Sequence, residues 1–418
     1  MPEPPTFMDS IFAHQLVEKH GSPLMAYDLA SVKTRVRSLM DAFPAGSRLF
    51  YSLKANPLPA IVRAARESGA GAEVTSTGEL HAAITAGCEA GDLLFGGPGK
   101  STAEITEALQ AGVTWFSCES FVDARRISDC SAASNCEAQI LLRVNPTEAP
   151  DARLAMSGVD SQFGFEESHL LTPEAHASLS LPNLALRGIH IYFGTQMSTV
   201  EAIATNTRRA LETADRICNH LGFKPDVVDV GGGFSWPYAV EGDGPDYSGL
   251  KEALATVWDE SPLRQTATLW FESGRHLCAG SGTLLTTVQD LKVSKTRTYA
   301  VLDTGIHHLG GMSGLGRLPR SVITLNNLTA ARENRLPADE ATLEIVGPLC
   351  SPLDSLARNL KLSHPEVGDL LAIPNVGAYG LTASLIGFLS HTAPAEVAFE
   401  GDQIREAWRW RTGHESLV

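Results

Sequence analysis

The sequence predicts an α/β chain: a (β/α)8 barrel followed by a second, mostly antiparallel β domain. Three observations carry that reading. Between Ser31 and about Arg275, eight short apolar runs alternate with helical stretches. Eight β/α units in roughly 240 residues is the measure of such a barrel. Second, the run Val227-Val228-Asp229-Val230 stops at Gly231-Gly232-Gly233-Phe234, leaving a bare backbone where the seventh strand ends. Third, the alternation ceases after Arg275, and short β-like runs separated by turns take over. The rival is an open doubly wound sheet. The barrel is preferred because residues with chemistry to offer fall at several strand ends, and the glycine loop follows the seventh strand, where barrels commonly take phosphate.

The chain opens on a proline-rich segment, Met1-Pro2-Glu3-Pro4-Pro5, expected to be disordered. It has neither the basic start nor the apolar core of a secretory signal. A helical stretch, Ile11–His20, precedes a strand over Pro23–Leu29. That strand comes before the barrel and is free to pair into the second domain. The barrel strands are expected over Leu49–Leu53, Ala72–Thr75, Leu93–Phe95, Thr114–Cys118, Ile140–Val144, Leu186–Phe193, Val227–Val230 and Thr268–Phe271. The clearest helix runs from about Thr199 to Leu221. Ser198-x-x-Glu201 fits a capping box, and Val200, Ile203, Ala204, Leu211, Ala214, Cys218 and Leu221 keep mostly helical spacing. Beyond the barrel, β-like runs fall at Leu284–Thr287, Ala300–Leu302, Leu343–Ile345, Leu370–Ala372 and Glu396–Phe399. The expected division is an N-terminal segment over residues 1–29 contributing to the β domain, a barrel over 30–275 and a β domain over 276–418.

Composition narrows the function. The 418 residues carry a formal net charge of −15, which disfavours nucleic acid and anionic membranes as partners. No run approaches the ~18 apolar residues of a membrane span. Seven cysteines are scattered with no C-x-x-C pair, so reduced core thiols are expected, zinc is not, and the cytoplasm is the default compartment.

Several residues point to chemistry. Lys54 ends the first strand in Tyr51-Ser52-Leu53-Lys54-Ala55-Asn56-Pro57. Partial desolvation at a barrel mouth would lower its pKa and free the amine to form a Schiff base; the plainer alternative is a lysine reaching solvent. Glu272 ends the eighth strand in Phe271-Glu272-Ser273-Gly274-Arg275. Its carboxylate suits a ring nitrogen and Arg275 suits a phosphate, although a surface ion pair is equally compatible. The glycine loop suits an anion, or is simply a tight turn. An amine, a glycine loop, a carboxylate and an arginine at one barrel face are together the set that pyridoxal phosphate requires.

With these motifs on the page the chain resembles the fold-type III pyridoxal-phosphate decarboxylases, the group of diaminopimelate and ornithine decarboxylases with an alanine-racemase-like fold. The motifs are the Lys54 segment, Gly71-Ala72-Glu73-Val74-Thr75-Ser76-Thr77-Gly78-Glu79-Leu80, Gly188-Ile189-His190-Ile191-Tyr192-Phe193-Gly194-Thr195-Gln196, the glycine loop, Glu272–Arg275, Gly347-Pro348-Leu349-Cys350-Ser351-Pro352-Leu353-Asp354 and Gly377-Ala378-Tyr379-Gly380. The resemblance implies that Lys54 holds the cofactor's aldehyde and that Glu272 faces the pyridine nitrogen. It implies that Gly231, Gly232, Gly233, Gly274, Arg275 and Tyr379 take the phosphate, with Thr195 beside them. Cys350 would return a proton to the substrate carbon after loss of CO2, Asp354 would lie near the substrate's distal end, and a homodimer would share sites, with Cys350 supplied by the second subunit. In two places the chain departs from the family. Tyr192 stands where a histidine usually stacks on the ring, and Glu73 where an aspartate usually supports the lysine.

The segments that read the substrate depart further. The arginine and tyrosine grip of diaminopimelate decarboxylases and the Tyr-Asp-His segment of ornithine decarboxylases are missing. The chain instead has Asp303-Thr304-Gly305-Ile306-His307-His308-Leu309, Ser313-Gly314-Leu315-Gly316-Arg317 and Phe388-Leu389-Ser390-His391. With Gly96-Gly97-Pro98-Gly99-Lys100-Ser101 and Ser161-Gln162-Phe163-Gly164, these resemble a secondary-metabolism subgroup acting on carrier-protein-bound amino acids or siderophore intermediates. Gly99-Lys100-Ser101 is no P-loop, because Leu94 stands where its first glycine belongs. The alternatives are a primary-metabolism decarboxylase, a racemase of the same fold, and a non-catalytic homologue. Glu272 argues against the racemase, which places arginine at the ring nitrogen. Lys54 and Cys350, both present, argue against the non-catalytic homologue.

Overall fold

The computed structural model describes residues 8–147, 154–155, 160–309, 323–335, 340–363, 365–411, 413–414 and 416. The proline-rich start and Ser313–Arg317 lie outside the described residues. The chain divides into two units. One comprises Lys33–Ser235 and Pro245–Leu277; the other comprises the residues up to Val32, Trp236–Gly244 and those from Cys278 onward.

In chain order the main strands are β1 (Leu24–Asp28), β2 (Arg48–Ser52), β3 (Gly71–Val74), β4 (Leu93–Phe95), β5 (Trp115–Cys118), β6 (Ala138–Asn145), β7 (Leu184–His190), β8 (Val227–Asp229) and β9 (Thr268–Ser273). They continue with β10 (Gly282–Ser294), β11 (Arg297–Leu302), β12 (Glu340–Val346), β13 (Ser355–Ser363), β14 (Leu370–Ile373), β15 (Ala395–Glu400) and β16 (Gln403–Arg409).

Strands β2 to β9 form a closed parallel barrel in the order β5-β4-β3-β2-β9-β8-β7-β6, with β6 pairing back to β5. Each expected barrel strand is present, Leu93–Phe95 with unchanged ends and the others with ends moved by up to a few residues. Alternate strands send Phe50, Leu94, Leu141 and Val227 into one packed cluster that Trp270 joins. Such a layer fills the barrel and makes it a core rather than a pore. The Arg48 guanidinium covers the Phe50 and Trp270 rings at 5.1 and 5.3 Å.

The longest helix is Val200–Leu221, and its cap is not the expected one. Thr199, not Ser198, accepts from the Ala202 amide, and Gly222 ends the helix at φ +72°. The sequence signal slipped by one residue because Ser198 and Thr199 are both good caps.

In the other unit the order is β13-β12-β11-β10-β1-β15-β16, and β14 pairs with β10. Strand β1 does pair into this sheet, antiparallel to β10 and parallel to β15. Its core gathers Ala13, Leu16, Leu24, Leu285, Leu370, Val397 and Phe399. Strands β13 and β16 have no counterpart in the sequence reading. Most of the β16 side chains are exposed, so no apolar alternation announces that edge strand. Among the described residues no helix is long and apolar enough to cross a membrane.

Candidate active site

Each functional segment of the barrel unit follows, or forms, the C-terminal end of a parallel strand. These ends open on one face, where barrels of this type build their sites.

Lys54 lies in a 3-10 turn, Leu53–Ala55, just past β2. The turn is pinned because Tyr51 Oη donates to the Asn56 carbonyl at 2.8 Å and Asn56 Oδ1 accepts from the Leu58 amide at 3.0 Å. The Lys54 amine lies 3.1 Å from Glu73, and its side chain is 46% exposed. The amine is thus only partly withdrawn from solvent, and the buried carboxylate of Glu73 is what faces it. Glu73 is the third residue of β3 and is buried. The helix that follows β3 is capped by Ser76, and Glu79 closes back on the Thr75 amide at 2.7 Å.

The glycine loop is tightly packed. A Cβ on Gly232 would fall on the Glu272 carbonyl oxygen, one on Gly233 on the Gly194 carbonyl oxygen, and one on Gly231 on the Tyr192 ring. Gly231 and Gly233 also hold φ of +66° and +89°. Close approach to the ends of β7 and β9 therefore requires glycine here whatever the loop binds. Tyr192, half-buried, packs against this loop, which places the aromatic ring where the motif comparison puts a histidine. Thr195 lies in a short ladder with Leu154, and Met197 bonds its amide to the Gly233 carbonyl at 2.9 Å.

Glu272 is the penultimate residue of β9 and opposes Phe50 of β2. Gly274 lets this strand end close on the lysine turn: a Cβ there would lie 2.6 Å from the Ala55 Cβ. Arg275 opens the short helix that follows. Glu272 is buried, and its Oε1 has no hydrogen-bond partner. Burial, then the charges of Glu73 and Asp229, hold its carboxyl well above the usual range.

Two neighbours of Glu272 escaped the sequence reading. His190 Nε2 lies 3.6 Å from Glu272 Oε1, and His190 Nδ1 is 2.8 Å from Ser117 Oγ. Asp229 is fully buried and accepts the Gly231 amide at 2.8 Å, while its Oδ2 has no partner. The signal for Asp229 was its place inside a β-branched buried run, where an unpaired acid is rare. Farther out, Arg143 pairs with Glu119 at 2.9 Å and covers the Phe163 ring at 4.7 Å. Lys100 is buried against Asp123 at 2.7 Å and bonds the Gly97 and Ser117 carbonyls. It ties strand ends together, which accounts for the lysine without a nucleotide.

Cys350, Asp354 and Tyr379 belong to the other unit. Cys350 is exposed. Asp354 is buried, accepting the Ile306 and Leu349 amides at 2.9 and 2.8 Å. This geometry makes Asp354 a brace of the turn that carries Cys350. Tyr379 is half-buried at φ +54°. His307 is fully buried and stacks on His308, with ring centroids 3.7 Å apart; the His391 ring lies 5.1 Å away.

The barrel residues fit a pyridine-ring phosphate ester. Glu272 Oε1 is a buried acceptor with no partner, and the same strand ends carry bare glycine backbone, Arg275 and a half-exposed amine. The profile of the pyridoxal-binding domain of pyridoxal-dependent decarboxylases matches residues 29–279. The chain is 30% identical to L-glutamyl-(BtrI acyl-carrier protein) decarboxylase of Niallia circulans, over 91% of this chain and 90% of that protein. It is also 30% identical to diaminopimelate decarboxylase of Pseudomonas fluorescens, over 97% and 94%. Diaminopimelate decarboxylase of Helicobacter pylori, complexed with L-lysine, superposes at a TM-score of 0.80 with 26% identity, covering 94% and 95%. With the barrel, the second sheet and these likenesses together, the chain belongs to the pyridoxal-dependent decarboxylases of fold type III, enzymes that take pyridoxal phosphate and decarboxylate amino acids.

Proposed function

We propose that this enzyme removes the α-carboxylate of an amino acid presented as a conjugate, tethered to a carrier protein or built into a larger intermediate, within secondary metabolism. Three things support the substrate reading: the missing diaminopimelate and ornithine grips, the histidines His307, His308 and His391 that occupy those segments, and the Niallia relative, whose named substrate is carrier-bound. The observation that carries the chemistry is Glu272, a buried carboxylate at the barrel mouth where a racemase would have arginine.

Lys54 holds the cofactor's aldehyde, and Glu73 at 3.1 Å orients the amine. The Gly231–Gly233 loop, Gly274 and Arg275 take the phosphate through the loop's remaining amides and a guanidinium, with Thr195 beside them and the Gly231 amide held by Asp229. Tyr379 joins them by the resemblance of its segment. Tyr192 packs on the ring. When bound, the cofactor supplies the electron sink for the pair left behind as CO2 departs. Glu272 faces the ring nitrogen. Cys350 of a second subunit delivers a proton to the substrate carbon, and Asp354 holds the Cys350 turn in place. The exposure of Cys350, together with exposed Leu353, Leu385, Phe388 and Leu389 on the same unit, supports a homodimer that covers them.

The test is CO2 release from free ornithine, lysine, arginine, diaminopimelate and glutamate against carrier-bound and citryl-conjugated amino acids. Faster turnover of a conjugate supports the reading. Efficient turnover of free diaminopimelate favours the second reading, primary metabolism, which the Pseudomonas relative supports at the same identity.

A further inference from the structure

Three buried residues meet at the barrel mouth, His190, Asp229 and Glu272, with one ligand atom of each within 4.8 Å of the others. Each also has a buried polar atom with no hydrogen-bond partner: His190 Nε2, Asp229 Oδ2 and Glu272 Oε1. Two carboxylates this close and this buried cannot both be charged without a large cost. His190 does not offset that charge as a cation: burial, then the nearby charges of Arg143, Lys54 and Lys100, push its pKa well below the usual range. Something neutral must therefore join the three atoms.

We propose that Asp229 carries a proton and, with the Nε2–H of His190, donates to Glu272 Oε1, so that the other Glu272 oxygen is presented to the ring nitrogen of the cofactor. This rests on the assignment of Glu272 to that nitrogen. Asp229 and His190 are then positioning residues. Asp229 Oδ1 is anchored by the Gly231 amide at 2.8 Å, which leaves Oδ2 as the oxygen without a partner. Ser117 Oγ lies 2.8 Å from His190 Nδ1, and in the proposed arrangement its hydroxyl donates there, leaving the ring proton on Nε2. The Nε2 to Oε1 separation of 3.6 Å is longer than a hydrogen bond and closes when Glu272 engages a ring. Two donors on one oxygen orient the carboxylate and keep it charged against the ring. Burial raises both carboxyls, Asp229 to about 7 and Glu272 well above its usual range, so the pair retains a proton, and a protonated ring nitrogen facing Glu272 is what leaves that proton on Asp229. The other charged groups bearing on the three are Lys54, Arg143 and Lys100.

The test uses the pyridoxal-phosphate-loaded enzyme. Infrared difference spectra at pH 7, wild type minus Asp229→Asn, with and without deuterium exchange, are expected to show one protonated-carboxyl band in wild type that the variant lacks. Asp229→Asn keeps an N–H donor and is expected to leave the pH midpoint of the bound cofactor's visible band in place. Asp229→Ala removes the donor and is expected to move that midpoint by about one pH unit. His190→Gln is expected to hold it and His190→Leu to move it. No band in wild type overturns the proposal. So does a band that survives in Asp229→Asn, or an Asp229→Asn midpoint displaced as far as that of Asp229→Ala. Zinc bound by the apoenzyme through these three residues at neutral pH, displacing the proton, also overturns it. Failure of the ring-nitrogen assignment reads differently: Glu272→Gln would then leave the visible band unmoved, while the infrared band still decides where the proton sits.

Discussion

The Lys54 amine lies 3.1 Å from one oxygen of Glu73 and 3.2 Å from the other, so a single carboxylate cradles it. Borohydride reduction of the loaded enzyme followed by peptide mapping is expected to mark Lys54 alone. In Glu73→Ala the amine loses its guide. Because hydrogen bonds to charged groups contribute about 1.5–3 kcal/mol, cofactor affinity is expected to fall by on the order of tenfold. A label on another lysine, or an unchanged affinity, counts against these roles.

Glu272→Gln keeps the side-chain shape and removes the charge. The missing charge acts mainly on the carbanionic transition state, so kcat is expected to fall by about 100-fold or more, with cofactor affinity changed by less than about tenfold. Steady-state kinetics beside a cofactor titration separate the two. An equal loss in both would make Glu272 a binding residue.

Shared sites make a mixing experiment quantitative. Lys54→Ala and Cys350→Ala are each expected to be inactive alone. After random subunit exchange, half the dimers are mixed and each holds one intact site, so about a quarter of wild-type activity should return. Proven exchange without recovery would place Cys350 in the site of its own chain.

Substrate choice is expected to separate free amino acids from conjugates. Free diaminopimelate and ornithine should turn over with kcat/KM below roughly 10⁴ M⁻¹s⁻¹, the lower end of the ordinary enzyme range. A value above that for either one defeats the specialised-substrate reading.

A pH dependence of stability follows from Glu396. It is buried on β15 with Tyr27 Oη donating to it at 3.0 Å, and burial raises its carboxyl from 4.5 to about 7. The folded protein therefore binds this proton more tightly than the unfolded chain. The contribution is fully present below about pH 4.5, is lost as pH rises toward 7, and amounts to at most about 3 kcal/mol. Glu396→Gln should thus raise the thermal midpoint at pH 8 and change it little at pH 4.5. Equal effects at the two pH values would show that the group ionises normally.

Period and punctuation made most of the fold legible in the sequence. Barrel strands are continuous apolar runs because both faces are buried, and Leu93–Phe95 was found to the residue. Lys54, Gly231–Gly233, Glu272 and Arg275 stood out because each interrupts such a run at its end. The edge strand β16 did not stand out because its mostly exposed side chains impose no pattern, and in β13 the buried Leu356, Ala357 and Leu362 do not alternate regularly. Nor could the Thr199 cap be told from Ser198, since capping depends on one backbone turn rather than on residue type.

By itself the sequence determined the barrel, the second sheet, the family and the residues with chemistry to offer, since all of these follow from local periodicity and spaced motifs. Tertiary structure alone decided which groups meet. It placed Lys54, half-exposed, against the buried carboxylate of Glu73, and it set Asp354 to brace a turn. It also brought His190, Asp229 and Glu272, from three different strands, to one buried point. Such meetings depend on strand register and barrel closure, which couple residues far apart in the chain and leave no mark on the spacing of any one segment.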